Sequence, residues 1–162
     1  MHQLTGIVID KKNASTLEEA QAQAEKSMDS YLCSHSGETQ GYFDWYANHN
    51  EGRWSDDKDL EPVMDLATDK GMKVYNRLKE NNLQEQKRHL EKIKEIIATK
   101  SDEEILNSKD WEGNYHFRAF GSSEGLGNYL YDSDGCGLDN WWEQEMMKTT
   151  DDKWLVLFDC HN

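Results

Sequence analysis

The sequence predicts a single α+β domain over residues 1–162, in which a mostly antiparallel sheet carries helices on one face. Short apolar runs at residues 4–10 and 154–158 are typical of buried strands. Between them, apolar residues recur at the spacing of amphipathic helices. Strands that are separated by helices and joined in hairpins favour the α+β class, and 162 residues suit one domain.

The first two predicted elements are a strand and a helix. "LTGIVID" is rich in β-branched residues and ends at Asp10, which indicates a buried strand. Ser15 and Glu18 then form the pattern of a capping box. The apolar residues that follow recur at helical spacing and predict an amphipathic helix; they are Leu17, Ala20, Ala24, Met28 and Leu32.

An aromatic stretch and a long helical segment follow. "GYFDWY" and "GRW" are predicted as strands or strand edges around a polar loop at residues 48–51. Residues 59–100 are predicted to be helical, with Asp59 as the cap and Pro62 in the first turn. The pattern fits one long kinked helix or a helical hairpin, because Asn81 and Asn82 separate two apolar stripes, namely Val63, Ala67, Val74 and Leu78, then Leu83, Leu90, Ile93 and Ile97.

The last third of the chain is predicted to alternate strands with short helices. Ser101 and Glu104 form a second capping box and open a short helix. "KWLVLFD", at residues 153–159, is almost continuously apolar, which favours a central strand of the sheet. The other predicted elements are strands at 114–120 and 128–132 and a helix at 139–147, capped by Asn140.

The charge of the chain is strongly negative and unevenly distributed. The net charge of −14 divides into −9 over residues 1–69, +5 over residues 70–100 and −10 over residues 101–162. Such a field repels nucleic acids and anionic membranes and attracts basic partners, unless it serves solubility alone. Rigid acidic clusters at Asp56, Asp57 and Asp59, and at Asp151 and Asp152, are candidates for occupying a basic groove.

The expected location is the cytoplasm. The beginning of the chain lacks a secretory pattern, and no apolar run approaches the length of a membrane span. The three cysteines are odd in number and irregular in spacing, which favours reduced thiols over a disulfide framework.

The sequence predicts no cofactor and no metal. Cys33, His35, Cys160 and His161 have ligand types that suit zinc but not the usual spacing. Residues 132–143 match the calcium-loop template at Asp132, Asp134, Gly137 and Glu143, but Cys136 and Asp139 depart from it.

No catalytic motif is predicted either. Residues 121–125, "GSSEG", match the nucleophile elbow with Ser123 at its centre, but a strand follows where the elbow needs a helix. A glycine-serine turn explains this stretch.

The final residues Asp159, Cys160 and His161 end a strand. Because successive side chains in a strand point to opposite faces, Asp159 and His161 share one face and Cys160 lies on the other. This arrangement permits a carboxylate–imidazole pair. The alternative is that Asp159 ends the sheet as a hydrogen-bond acceptor and Cys160 is a core residue.

"DWY", "GRW" and the closing "DCH" together resemble a loose group of small phage-encoded proteins. Those proteins carry Asp-Trp-Tyr, then Gly-Arg-Trp, and end on Val-Asp-Cys-His. The resemblance implies a phage origin and a small α+β fold, and it implies no activity. The matching positions are Asp44, Trp45, Tyr46, Gly52, Arg53, Trp54, Asp159, Cys160 and His161.

This resemblance also suggests a contact between two of the motifs. Arg53 is a lone base in an acidic, aromatic neighbourhood, and Asp159 ends a core strand. We expect a bidentate pair between the Arg53 guanidinium and the Asp159 carboxylate, with Trp45 or Trp54 covering the guanidinium.

The leading functional hypothesis is a phage-encoded acidic protein that binds a host protein with a basic surface and inhibits or redirects it. Candidate targets are a defence or nucleic-acid-processing enzyme and an ATP-dependent protease. Formation of a homo-oligomer is a further alternative. Neither nucleic acids nor membranes are expected to bind. The alternative is a small enzyme or ligand-binding module built at Asp44, Arg53, Asp159 and His161. The predicted binding residues are Trp45, Tyr46, Trp54, His161, Asp56, Asp57, Asp59, Asp151 and Asp152.

Overall fold

The computed structural model describes residues 2–34, 42–106, 116, 129–138 and 147–161. Its elements confirm the predicted α+β class: one mixed sheet and helices packed against it. The strands are β1 (His2–Asp10), β2 (Trp45–Asn48), β3 (Val63–Asp65), β4 (Leu130–Tyr131) and β5 (Lys153–His161), and the helices are α1 (Leu17–Ser27), α2 (Asp69–Thr99) and α3 (Asp102–Leu106). A π-helical turn, Met28–Leu32, extends α1, and a 3-10 turn, His49–Glu51, follows β2.

Strand β5 lies at the centre of the sheet, as its apolar run predicts. It pairs antiparallel with β1 along its whole length, from His2 opposite His161 to Asp10 opposite Lys153. Its other edge is shared by two short antiparallel strands: β2 pairs with its last residues and β3 with its first half. Strand β4 pairs with the far edge of β1 in parallel, so the sheet is mostly antiparallel.

The helices cover both faces of the sheet, which corrects the expectation that they lie on one face. Leu155 and Leu157 of β5 pack in a core with residues of α2, whereas Val156 and Phe158 pack with residues of α1. Neighbouring residues in a strand point to opposite faces. Burial of both faces therefore explains why β5 is apolar without alternation.

Helix α2 begins ten residues later than Asp59, so the predicted helical segment 59–100 is wrong at its start. The side chain of Thr68 caps α2 by accepting a hydrogen bond of 3.1 Å from the Gly71 amide. Val63 lies in β3 instead, and the carbonyl of Pro62 accepts a bond from the Leu157 amide at 2.8 Å.

Helix α2 is one continuous helix, which excludes the helical hairpin. Asn82 lies in its interior and is buried. Its side-chain amide donates to the carbonyl of Leu138 at 3.2 Å, and its side-chain oxygen accepts from the amide of Tyr129. Asn82 therefore joins α2 to the segment around β4 and does not interrupt the helix.

The caps of the other helices refine the predicted starts. Thr16 and Glu19, one residue beyond the predicted pair, form the capping box of α1, and Ser15 adds a hydroxyl bond of 2.8 Å to Glu19. This bond, with the backbone amides, lowers the pKa of Glu19. The capping box of Ser101 and Glu104 is confirmed at the start of α3.

Two other predicted elements differ, and some lie outside the described residues. "GRW" is not a strand, because residues 52–54 form turns after the 3-10 turn. Strand β4 is shorter than the predicted strand at 128–132. Of the predicted strand at 114–120, the structure describes only His116, which is helical and not in a strand. The other residues of that strand and residues 139–146 of the predicted helix lie outside the described residues.

Candidate functional site

The free end of the central strands gathers five polar and aromatic side chains, which we call the histidine end: His2, Asp44, Trp45, Asp159 and His161. His2 and Trp45 are the register neighbours of His161 on its two sides, in β1 and β2. Residues directly opposite one another in a sheet present their side chains on the same face. Asp159 lies two residues before His161 and shares this face.

Asp159 is the buried centre of the histidine end, with 1% of its surface exposed. One carboxylate oxygen lies 2.9 Å from Nδ1 of His2. The other accepts a hydrogen bond of 2.7 Å from the backbone amide of Arg53. The predicted bidentate contact is therefore wrong in its donor: Arg53 meets Asp159 through its backbone, and its own side chain is exposed.

Gly52 explains why the backbone of Arg53 reaches the carboxylate. A Cβ atom added at Gly52 would lie 2.4 Å from Cβ of Asp159, well inside van der Waals contact. Only a residue without a side chain allows this approach. The Gly-Arg pair thus acts through its backbone at this point, and not through the guanidinium.

His161 forms the second carboxylate–imidazole pair. Its Nδ1 lies 2.8 Å from a carboxylate oxygen of Asp44, and its backbone carbonyl accepts from the Asp44 amide at 3.0 Å. The side chains of His161 and Asp44 are 40% and 64% exposed. The rings of His161 and His2 lie edge to face, with centroids 5.3 Å apart. In the neutral imidazoles, each Nδ1 therefore carries the proton and each Nε2 keeps a lone pair.

The three predicted aromatic binding residues lie in different places. Trp45 is 46% exposed, and its ring meets that of His2 edge to face at 6.0 Å. Tyr46 points to the α1 face, where its hydroxyl donates to Asp29 at 2.8 Å. Burial, and then this bond, raise the pKa of the Tyr46 phenol. Trp54 is partly buried against the core on the α2 side.

Cys160 faces away from the histidine end, as strand parity predicts. It is fully buried in the core beneath α1, and this burial raises the pKa of its thiol far above the usual range. A buried, protonated thiol is a poor nucleophile and a poor metal ligand. Cys160 and His161 therefore do not share a zinc site; His35 lies outside the described residues.

The acidic cluster before β3 faces basic residues of the same chain. Along the first turns of α2, Arg77 lies 3.7 Å from Asp57 and Lys73 lies 3.6 Å from Asp59. Lys70 continues this series with a contact of 2.5 Å to Glu61. Asp56 is exposed. This predicted binding cluster is therefore partly neutralised by the basic segment of the chain.

The second acidic pair also lies beside a lysine. Asp151 and Asp152 are exposed, and a carboxylate oxygen of Asp152 lies 3.2 Å from Nζ of Lys153. Lys153 is buried and lies 2.6 Å from Asp10. Burial lowers the pKa of Lys153, but the bonds to Asp10 and Asp152 outweigh that effect and raise it.

Asp132 uses one carboxylate oxygen to hold a turn. One of its oxygens accepts hydrogen bonds from the amides of Asp134 and Cys136, both at 2.9 Å. Gly135 completes the turn with a φ of 77°. Asp139 and Glu143 of the calcium-loop template, and Ser123 of the elbow motif, lie outside the described residues. Within the described residues, no three His, Cys, Asp or Glu side chains form a group that fits a metal ion.

His2 is the residue of this site that sequence reasoning missed. It lies in the first strand, and its importance comes from β1 running antiparallel to β5, which places the start of one beside the end of the other. The predicted first strand begins at Leu4 and leaves His2 out, and placing His2 beside His161 requires the register of β1 and β5.

One family model matches the whole chain, residues 1–162, and is described as a domain of unknown function, DUF7995. The chain belongs to this family. No curated protein and no solved structure matches it. The part of this DUF7995 chain that the structure describes contains no helix that is both long and apolar enough to cross a membrane.

Proposed function

We propose that this DUF7995 chain is a phage-encoded acidic interaction protein that binds a basic host protein in the host cytoplasm and inhibits or redirects it. The observation that carries the proposal is that the exposed ring of Trp45 and the exposed carboxylate of Asp44 both lie at the histidine end, on a chain with a net charge of −14. An aromatic face and a carboxylate at one site suit a lysine or arginine of the partner. The resemblance of residues 44–46, 52–54 and 159–161 supports the phage origin.

In this proposal the negative charges attract the partner and an aromatic residue anchors it. The excess of carboxylates attracts a basic partner at long range and raises the association rate. The carboxylates of Asp57 and Asp59 already face Arg77 and Lys73, which makes them weak anchors. Trp45 at the histidine end is the better anchor, because aromatic residues dominate the energy of interfaces. A defence or nucleic-acid-processing enzyme and an ATP-dependent protease remain the candidate targets.

Trp45→Ala is expected to weaken partner binding by about 30-fold, which corresponds to a hot spot of about 2 kcal/mol. The partner is captured from host lysate with the tagged full chain, and affinity is then measured by isothermal titration. Ile97→Ala is the matched control, because this exposed apolar residue belongs to α2 and is not one of the five residues of the histidine end. Equal affinity of the Trp45 variant and the control would contradict the proposal that Trp45 is the anchor.

Neutralising the acidic clusters is expected to lower the association rate more than to raise the dissociation rate. Asp56, Asp57 and Asp59 are changed together to Asn, and Asp151 and Asp152 likewise. Exposed charges are screened beyond about 8 Å at physiological ionic strength, so the effect should shrink as salt is added. Kinetics that stay flat with salt and with both substitutions would remove electrostatic attraction from the proposal.

The second candidate function is a small enzyme or ligand-binding module at the same end of the sheet. It is favoured by the contacts that join Asp159 to the Arg53 amide and Asp44 to His161. Each imidazole is oriented by a carboxylate and presents Nε2, as a general base does. Native mass spectrometry of the purified protein tests it: a co-purified small molecule that is lost with His161→Asn would favour this function over protein binding.

A further inference from the structure

We propose that His2 and His161 bind one divalent transition-metal ion, such as zinc, cobalt, nickel or copper, through their Nε2 atoms. Water fills the other positions of the metal. This site adjoins Trp45 and shares Asp44 with the contact that we propose for a protein partner, but its metal binding is measured on the protein alone.

The hydrogen bonds at Nδ1 are the first observation. A histidine that binds a metal usually donates its other ring N–H to a carboxylate, which fixes the ring and its tautomer and makes the free nitrogen more basic. His2 has this arrangement with Asp159 at 2.9 Å, and His161 has it with Asp44 at 2.8 Å. Two such pairs stand side by side in one row of the sheet.

The distance between the two rings is the second observation. With a bond of about 2.0–2.1 Å to nitrogen, a tetrahedral zinc ion holds two imidazoles with ring centres about 5.2 Å apart. The centroids of His2 and His161 are 5.3 Å apart, and their planes are 69° from parallel. The two rings therefore already stand at the centroid separation that one shared tetrahedral ion would give.

The direction of the rings is the third observation. Nδ1 of His2 points at the buried carboxylate of Asp159, so the opposite side of its ring, which carries Nε2, faces outward. The side chains of His2 and His161 are 36% and 40% exposed. Both rings can therefore be reached by an ion from solvent, with the Trp45 ring 6.0 Å from that of His2.

The ligand set decides the class of ion and the mode of binding. Imidazole nitrogen suits zinc, nickel, copper and cobalt, whereas calcium and magnesium prefer oxygen. Among the described residues, no third His, Cys, Asp or Glu joins the two histidines in a metal-binding group. The site is therefore open, and it exchanges its ion more readily than a closed structural site with four protein ligands.

This site differs from the zinc set considered in the sequence. That set combined His161 with Cys160, which the strand places on the opposite face in the buried core. The present site replaces Cys160 with His2, which the register of β1 and β5 brings opposite His161.

The test is a titration of the purified full chain with Zn²⁺ alone, followed by isothermal calorimetry, and with Co²⁺, followed by its visible absorption. The variants are His2→Asn, His161→Asn and the double variant. Asparagine places an N–H donor near the position of Nδ1, so Asp159 and Asp44 keep a partner, while Nε2 is removed. We expect one equivalent of zinc per chain, at least 10-fold weaker binding in each single variant, and loss of binding in the double variant.

Two further variants make the result specific. Asp44→Ala should weaken zinc binding by about 10- to 100-fold, because it removes the carboxylate that orients His161. Cys160→Ser should leave the affinity unchanged, because Cys160 lies on the other face. Thermal melts of all variants exclude unfolding as the cause. Absence of zinc binding in the wild type, or equal zinc binding in the double variant, would overturn the proposal. Capture of the protein partner in the presence of a chelator tests the interaction function separately.

Discussion

Truncation after Lys153 is expected to abolish cooperative unfolding of the chain. The deleted residues include nearly all of β5, which is the strand that joins β1, β2 and β3 into one sheet. The truncation also removes side chains from both cores, because Leu155 and Leu157 face α2 while Val156 and Phe158 face α1. Without β5, neither helix has a complete apolar surface to cover.

Circular dichroism and differential scanning calorimetry of the truncated chain measure this result. A single substitution gives a graded version of the test: Leu157→Ala should cost about 2–5 kcal/mol of the free energy of unfolding. Ile97→Ala is the matched control, because Ile97 is 59% exposed and such changes stay within about 0.5 kcal/mol. A truncated chain that still melts sharply near the wild-type temperature would show that β5 is not the centre of the fold.

The position of β5 was predictable because its pattern has one simple cause. A strand that is buried on both faces shows no alternation, and residues 154–158 show none. Because the apolar residues of β5 do not alternate, the sequence pattern does not show which helix packs on which face of the sheet. The prediction of helices on one face therefore failed although the strand itself was correctly placed.

The start of α2 was not predictable from local signals. Asp59 and Pro62 fit a helix start, and Thr68 fits one equally well. The choice is made by β3, a strand of only three residues that pairs with β5 and is too short to show a period of two. Pairing with a distant strand thus overrides the local preference of residues 59–68.

The candidate site shows the same division between local and distant information. Strand parity alone predicts that Asp159 and His161 share a face and that Cys160 does not. The partners of these residues come from the register: His2 reaches Asp159 across 157 positions of the chain, and Asp44 reaches His161 across 117. The contact between Arg53 and Asp159 was expected, but a sequence motif does not show that the backbone makes it.

Asp159→Ala is expected to destabilise the protein by about 3 kcal/mol, whereas Arg53→Ala should cost less than about 1 kcal/mol. The Asp159 carboxylate is buried and accepts from the Arg53 amide and from His2. Hydrogen bonds to charged groups contribute about 1.5–3 kcal/mol each, and donors that lose their buried acceptor add a penalty. The alanine at position 53 keeps the backbone amide, so the bond to Asp159 survives.

Urea unfolding of the two single variants and the double variant measures these costs. The double variant should cost the sum of the two single variants within about 0.5 kcal/mol, because no guanidinium contact couples the two residues. Gly52→Ala should also be costly, because its Cβ would press against Cβ of Asp159. Asp44→Ala is the matched control: it removes the carboxylate of the other histidine pair, which is 64% exposed and should contribute at most about 1 kcal/mol. A large loss with Arg53→Ala, together with a double variant that costs less than the sum of the two, would show that the guanidinium binds Asp159 after all.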